Sequence, residues 1–154
     1  MISALSNRPA FIRISFQTHF GITMHKHLEG HVYPAYKLKV DRNLAAQYME
    51  SQGAPAGAGV PATYLIFLRG ERHGIDLFKD LDIPRKQALH GGQRYEWCAP
   101  VGWDDELSVT VTVRKITEKP TKSGTLWFAD VVYDYALSDG RTAVRELTRI
   151  IKRG

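Results

Sequence analysis

The chain has a single cysteine, Cys98, in 154 residues, so no internal disulfide can form. That excludes a disulfide-stapled fold and fits a reducing compartment, with a cytoplasmic location as the expectation. No apolar run approaches the roughly 20 residues a membrane-spanning helix needs, so no membrane association is expected. Acidic residues are missing altogether before Glu29, where Arg8, Arg13 and Lys26 carry three of the five net positive charges. The remainder is therefore nearly balanced. Its Lys and Arg are scattered among Asp and Glu, without a basic helix or an aromatic-basic platform, and no nucleic-acid partner is expected. A hydrophobic fraction of 44% and a charged fraction of 24% exclude general disorder, and the length suits one domain able to fold without staples.

The acid-free leader, residues 1–28, is read as an N-terminal extension ahead of a single domain at 29–154. It lacks the continuous apolar core and small-residue cleavage site of a signal peptide. A transit-like segment, an extra strand, or an upstream start with Met24 as the natural first residue are the three readings, and the last is preferred. His25, His27 and His31 fall close together, but no carboxylate or thiolate supports them, so they are read as solvated and no metal is expected.

From Val32 the pattern becomes regular. VYPAYKLKV alternates as a strand, with Pro34 placing it at an edge or a strand start. Asp41 predicts an N-cap, and Leu44, Ala45, Tyr48, Met49 and Gln52 share one side of a helix that stops at Gly53. The Ala54–Pro61 stretch is a Gly/Ala/Pro loop carrying no ionisable side chain, and its Gly57-x-Gly59 lacks the context of a dinucleotide fingerprint. Ala62–Gly70 is apolar and reads equally as strand or buried helix. Gly74–Ile83 predicts a short amphipathic turn with Asp76, Asp80 and Asp82 on its solvated face.

Pro84–Trp97, PRKQALHGGQRYEW, joins the two halves. Its Gly91-Gly92 pair between His90 and Gln93 reads locally as a tight turn into a strand beginning near Tyr95. Beyond it, Leu107, Val109, Val111 and Val113 alternate with Ser108, Thr110 and Thr112. Pro120–Gly124 is a turn, and the odd positions from Trp127 to Leu137 are apolar. Asp139-Gly140 is a hairpin signal, and Ala143, Leu147 and Ile151 predict the apolar face of a closing strand. Three long strands in a meander after one helix predict an α+β fold with an antiparallel sheet covering a single helix.

The helix opening at Asp41, Pro61-Ala62-Thr63, the ALHGGQRYEW segment at Ala88–Trp97, the Pro-Val-Gly-x-Asp-Asp-x-Leu stretch at Pro100–Leu107 and the closing Asp-Gly hairpin together resemble the N-terminal-type domain of MaoC-like dehydratases. The resemblance covers about Gly30 to Arg153 and departs at Trp103, inserted where the family has Gly-Asp directly. It implies a hot-dog fold, a central α-helix wrapped by an antiparallel β-sheet. It also implies acyl thioesters of coenzyme A or acyl carrier protein as ligands, no cofactor, and pairing with itself or with another hot-dog subunit.

Active relatives of this type place Asp-x-Asn-Pro-x-His just after the central helix, because hydration of an enoyl thioester needs an acid/base pair at C2 and C3. The matching segment here, Gly53–Ala58, has neither group. The resemblance therefore implies a catalytically silent, substrate-binding subunit of an (R)-specific enoyl-thioester hydratase or 3-hydroxyacyl-thioester dehydratase. Hydro-lyase activity is then expected only beside a partner carrying the dyad. Fold alone does not decide function, so a hot-dog thioesterase using Asp80 or Asp82, and a non-enzymatic acyl-thioester binding module, are the alternatives. The expected substrate-binding residues are His90, Gly91, Gly92, Gln93, Tyr48 and Pro61, with no catalytic residue. His90–Gln93 is read as a wall and backbone anchor, and Arg69, Arg72, Arg85 and Lys86 as a basic rim for the carrier's phosphates.

Overall fold

The computed structural model describes residues 23–55 and 57–154, and what the leader predicts before Thr23 lies outside the described residues. Strand β1 (Tyr36–Lys39) leads to helix α1 (Arg42–Ser51), which is followed by 3-10 turns at Ala62–Leu68 and Gly70–His73, a one-turn helix α2 (Leu77–Asp80) and a 3-10 turn at Arg85–Gln87. Strands β2 (Ala88–Trp97), β3 (Glu106–Thr121), β4 (Gly124–Ala136) and β5 (Thr142–Arg153) complete the chain. One antiparallel sheet in the order β1-β3-β4-β5-β2 results, with β3, β4 and β5 as the expected meander.

The period-2 pattern of β3 is the reason for its placement. Leu107, Val109, Val111 and Val113 are fully buried, each contributing roughly 2 kcal/mol by removal from water. A bulge between Val113 and Lys115 then shifts the alternation, so that Ile116 returns to the core. From β4, Trp127, Ala129, Val131, Tyr133 and Tyr135 face the same way. Ala45 of α1 and, from the segments between α1 and β2, Tyr64, Leu65, Leu68, Ile75, Leu77, Leu81 and Ile83 cover this face. This is the hot-dog layering, with α1 only ten residues long.

Local signals account for the covering layer. The Asp41 carboxylate accepts the Asn43 N–H at 2.8 Å, and Gly53, at φ 63°, ends α1 where a side chain would be strained. The ambiguous run at Ala62–Leu68 is a 3-10 helix. Pro34 precedes an edge strand, where its missing N–H breaks no ladder. Thr23–His31 pack onto the domain: Met24 is 2% exposed, and the Gly30 N–H donates to the Val113 carbonyl at 2.7 Å.

Three expectations are corrected. His90–Gln93 is not a turn but part of β2, which starts at Ala88 and carries a bulge between His90 and Gly92. Gly91 is required because a Cβ there would lie 2.8 Å from Arg149 and Ile151 side-chain carbons. Asp80 and Asp82 are not simply solvated: Asp80 accepts the Tyr33 hydroxyl at 2.9 Å, and Asp82 accepts the fully buried Lys152 ammonium at 3.2 Å. In β5 the inward face is the opposite of the one predicted. Ala143 is buried, but so are Val144, Glu146, Thr148, Ile150 and Lys152, while Leu147 and Ile151 are half-buried on the other face.

Candidate functional site

The reversed face of β5 sets polar groups into the core, and these build the site. Glu146 is completely buried, so its charge must be met inside the protein. Four donors meet it. Arg69 Nη2, Gln93 Nε2 at 2.8 Å and Thr148 Oγ1 at 2.7 Å donate to Oε1, and the Tyr135 hydroxyl donates to Oε2 at 3.0 Å. Arg69 Nη2 also donates to Thr148 Oγ1 at 2.7 Å, and Gln93 Nε2 to the Tyr95 hydroxyl at 2.5 Å. The guanidinium carbon lies 5.3 Å from the centre of the Tyr133 ring.

Three elements position these groups. Arg69 follows the 3-10 helix at Ala62–Leu68, Gln93 and Tyr95 point inward from β2, and the register sets Gln93 opposite Thr148 and Tyr95 opposite Glu146. Burial acts to lower the Arg69 pKa, but the charge and hydrogen bond of Glu146 raise it overall, keeping the guanidinium cationic. Burial, with the negative field of Glu146 added, pushes Tyr95 up to about 12 and Tyr135 further still.

Beside this network lies a cavity of about 460 Å³ between the Arg69–Phe78 segment and the β5–β2 side of the sheet. Its polar wall comprises Arg69, Glu71, Arg72, His90, Tyr133 and Thr148; its apolar wall comprises Ile75, Leu77, Phe78, Ala88, Leu89 and Ile150. At the mouth Glu71 accepts Arg85 at 2.9 Å, and Arg85 sits over the Phe78 ring. Arg72 is exposed.

The candidate binding residues separate into three groups. His90 borders the cavity, and Gln93 reaches the network beside it. Gly91 packs on the other face of the sheet against Arg149 and Ile151, and Gly92, at φ 142°, shapes the bulge. Tyr48 and Pro61 stand elsewhere. The Tyr48 hydroxyl is 2.5 Å from Thr63 Oγ1, its ring neighbours Tyr64, and Pro61 precedes the 3-10 helix. Tyr64 in turn meets Trp103, whose indole N–H donates to the Ala58 carbonyl at 2.9 Å and ties down the loop after α1. Among the described residues no three His, Cys, Asp or Glu converge as metal ligands, and no helix is long and apolar enough to cross a membrane.

Glu146 and Thr148 went unread in the sequence, although a signal for them was present. A two-residue Asp139-Gly140 turn would set Val144 opposite Tyr135 and Glu146 opposite Tyr133, and the structure has both pairings, although a shift between Tyr135 and Ala136 puts Ala136 opposite Thr142 nearer the turn. Since Tyr133 and Tyr135 face inward, Val144, Glu146 and Thr148 must as well.

A short helical layer over one face of a five-stranded antiparallel sheet, with a cavity between them, defines a hot-dog fold. Residues 40–145 match the family described as the FAS1-like dehydratase domain region, and the chain belongs to that family. Solved structures agree on the fold. The C-terminally truncated HadBC complex of Mycobacterium tuberculosis, a 3R-hydroxyacyl-ACP dehydratase, is similar with a TM-score of 0.63 at 16% identity, over 80% of this chain and 96% of that one. The ChsH1–ChsH2 complex of the same organism gives 0.59 at 13%, over 80% and 84%. The MaoC-like dehydratase of Rhodospirillum rubrum gives 0.51 at 17%, over 81% and 92%. No curated protein matches the chain by sequence.

Proposed function

We propose that this chain is the substrate-binding, catalytically silent subunit of a MaoC-like (R)-specific enoyl-thioester hydratase or 3-hydroxyacyl-thioester dehydratase. The observation that carries this is the loop after α1, where Gly53–Ala58 holds no acid or base at the positions of the family's Asp and His. Nothing in the cavity replaces that pair. Of its lining residues, only His90 and Glu71 are of the carboxylate or imidazole type that such a pair uses, and Glu71 is ion-paired with Arg85. The thioesterase alternative rested on Asp80 or Asp82; both carboxylates hold other groups, and neither borders the cavity.

The cavity receives the acyl portion of a thioester carried on coenzyme A or acyl carrier protein, with exposed Arg72 and Lys86 available to the carrier's phosphates. Ala88, Leu89 and His90 form its β2 side, with Gln93 in the polar network beside it, while Gly91 and Gly92 shape the strand that carries them. The partner is a second hot-dog subunit, the same chain or another. Edge strand β2, ten residues long, supports this, because its outer edge has no partner strand among the described residues. The HadBC and ChsH1–ChsH2 assemblies, both complexes, support it by analogy. The test is co-expression with a hot-dog subunit that carries Asp-x-Asn-Pro-x-His. A stable complex that hydrates enoyl-CoA faster than the dyad-bearing subunit alone is expected. Failure to associate and failure to raise the rate would count against the reading.

A further inference from the structure

We propose that Arg69 is a ligand-binding residue that holds a neutral oxygen, carbonyl or hydroxyl, of the acyl thioester at the cavity wall. This rests on the acyl-thioester reading above and adds what that ligand must carry. The guanidinium has five N–H donors. Its hydrogen bonds to Glu146 and Thr148 both leave from Nη2, and the side chain is 20% exposed, so its partners do not enclose it. Donor capacity therefore remains on a group that borders a cavity of about 460 Å³. A purely hydrocarbon ligand would leave that capacity unmet in a desolvated place, whereas an oxygen acceptor satisfies it.

The site is also built to hold this group still. Tyr133 lies under the guanidinium at 5.3 Å, Thr148 is 2% exposed, and Glu146 is fixed by Gln93 and Tyr135. A donor locked in place before binding loses little freedom when the ligand arrives. Charge selects the kind of oxygen. Glu146 already matches the positive charge of Arg69, so a ligand carboxylate would bring a second anion beside a buried one. A carbonyl or hydroxyl adds the acceptor without that charge.

Two oxygens have this chemistry: the thioester carbonyl and one further along the acyl chain. The experiment compares binding of octanoyl-CoA, its S-octyl thioether lacking the carbonyl, an oxo-octanoyl-CoA with its ketone next to the terminal methyl, and an octanoyl-CoA bearing a terminal carboxylate. Each is titrated against the intact chain and against the double variant Arg69→Met/Glu146→Gln, which removes both charges and keeps acceptors for Thr148 and Gln93. If the thioester carbonyl is held, octanoyl-CoA binds about tenfold tighter than the thioether. If a tail oxygen is held, the ketone binds about tenfold tighter than octanoyl-CoA. In either case the terminal carboxylate gains nothing over octanoyl-CoA, and the gap closes in the double variant. Absence of both gaps in the native chain, or their survival in the variant, overturns the proposal while leaving the acyl-thioester reading intact. Absence of binding by all four probes overturns that reading and this proposal with it.

Discussion

Replacing Arg69 by methionine removes the cation beside a carboxylate with no solvent exposure. Glu146 keeps its hydrogen bonds from Gln93, Thr148 and Tyr135, but no positive charge remains to offset its desolvation. Breaking a buried pair from one side costs about 3–5 kcal/mol, and the lost contact over Tyr133 adds roughly 0.5–1 kcal/mol. That is a large share of the roughly 5–15 kcal/mol by which such a domain is stable. Glu146→Gln costs less, about 1–3 kcal/mol, because the Arg69 it leaves behind is 20% exposed and partly hydrated. The two changes are not additive. Arg69→Met/Glu146→Gln leaves neither an unpaired anion nor an unpaired cation, so it recovers about 2 kcal/mol or more of the summed losses. Urea unfolding of the four proteins followed by tryptophan fluorescence measures that coupling. A coupling below about 0.5 kcal/mol refutes the reasoning, because the pair would then not be the element that makes Glu146 tolerable in the core.

Further consequences can be checked by ordinary means. Tyr95 is raised from 10.0 to about 12, and Tyr33, Tyr36, Tyr133 and Tyr135 are raised too, in each case first by burial. A pKa higher in the folded state contributes stability that is complete below pH 10 and lost as pH rises towards 12, so tyrosinate absorbance will appear together with cooperative alkaline unfolding; tyrosinate forming with far-UV circular dichroism unchanged would contradict this. Gly91→Ala forces a Cβ to 2.8 Å from Arg149 and Ile151 carbons and is expected to lower stability by about 1–3 kcal/mol in urea unfolding. Asp82→Asn keeps a residue type that tolerates φ 55° but removes the carboxylate facing buried Lys152; a loss of about 1–3 kcal/mol is expected, and a neutral result would show that this carboxylate is not needed to hold Lys152.

How much of this was legible depends on the range of the signal. The alternation of Leu107–Val113, the Asp41 cap and the Gly53 stop act over a few residues, and each appears where the pattern placed it. The inward face of β5 did not, because apolar Leu147 and Ile151 advertise the wrong side. Its buried polar residues are tolerable only through partners far away in sequence: Arg69 is 77 residues from Glu146, and Asp82 is 70 from Lys152. A local hydrophobic pattern contains no term for such partners. The same limit applies to His90–Gln93, where two glycines look like a turn until the neighbouring strand is known. Pairing with β5 keeps the segment extended, and packing against Arg149 and Ile151 explains why Gly91 lacks a side chain. The empty Gly53–Ala58 loop, by contrast, could be read directly, since an acid/base pair is either in the sequence or it is not.

The proposed role requires that the isolated chain be catalytically silent. Hydration of crotonyl-CoA and of a longer enoyl-CoA, followed as loss of the conjugated enoyl absorbance with the purified chain alone at saturating substrate, tests it in one assay. No turnover above the uncatalysed rate is predicted, together with measurable binding of the same thioesters. Turnover by the chain alone, lost on His90→Ala, would contradict the account and make His90 a catalytic base.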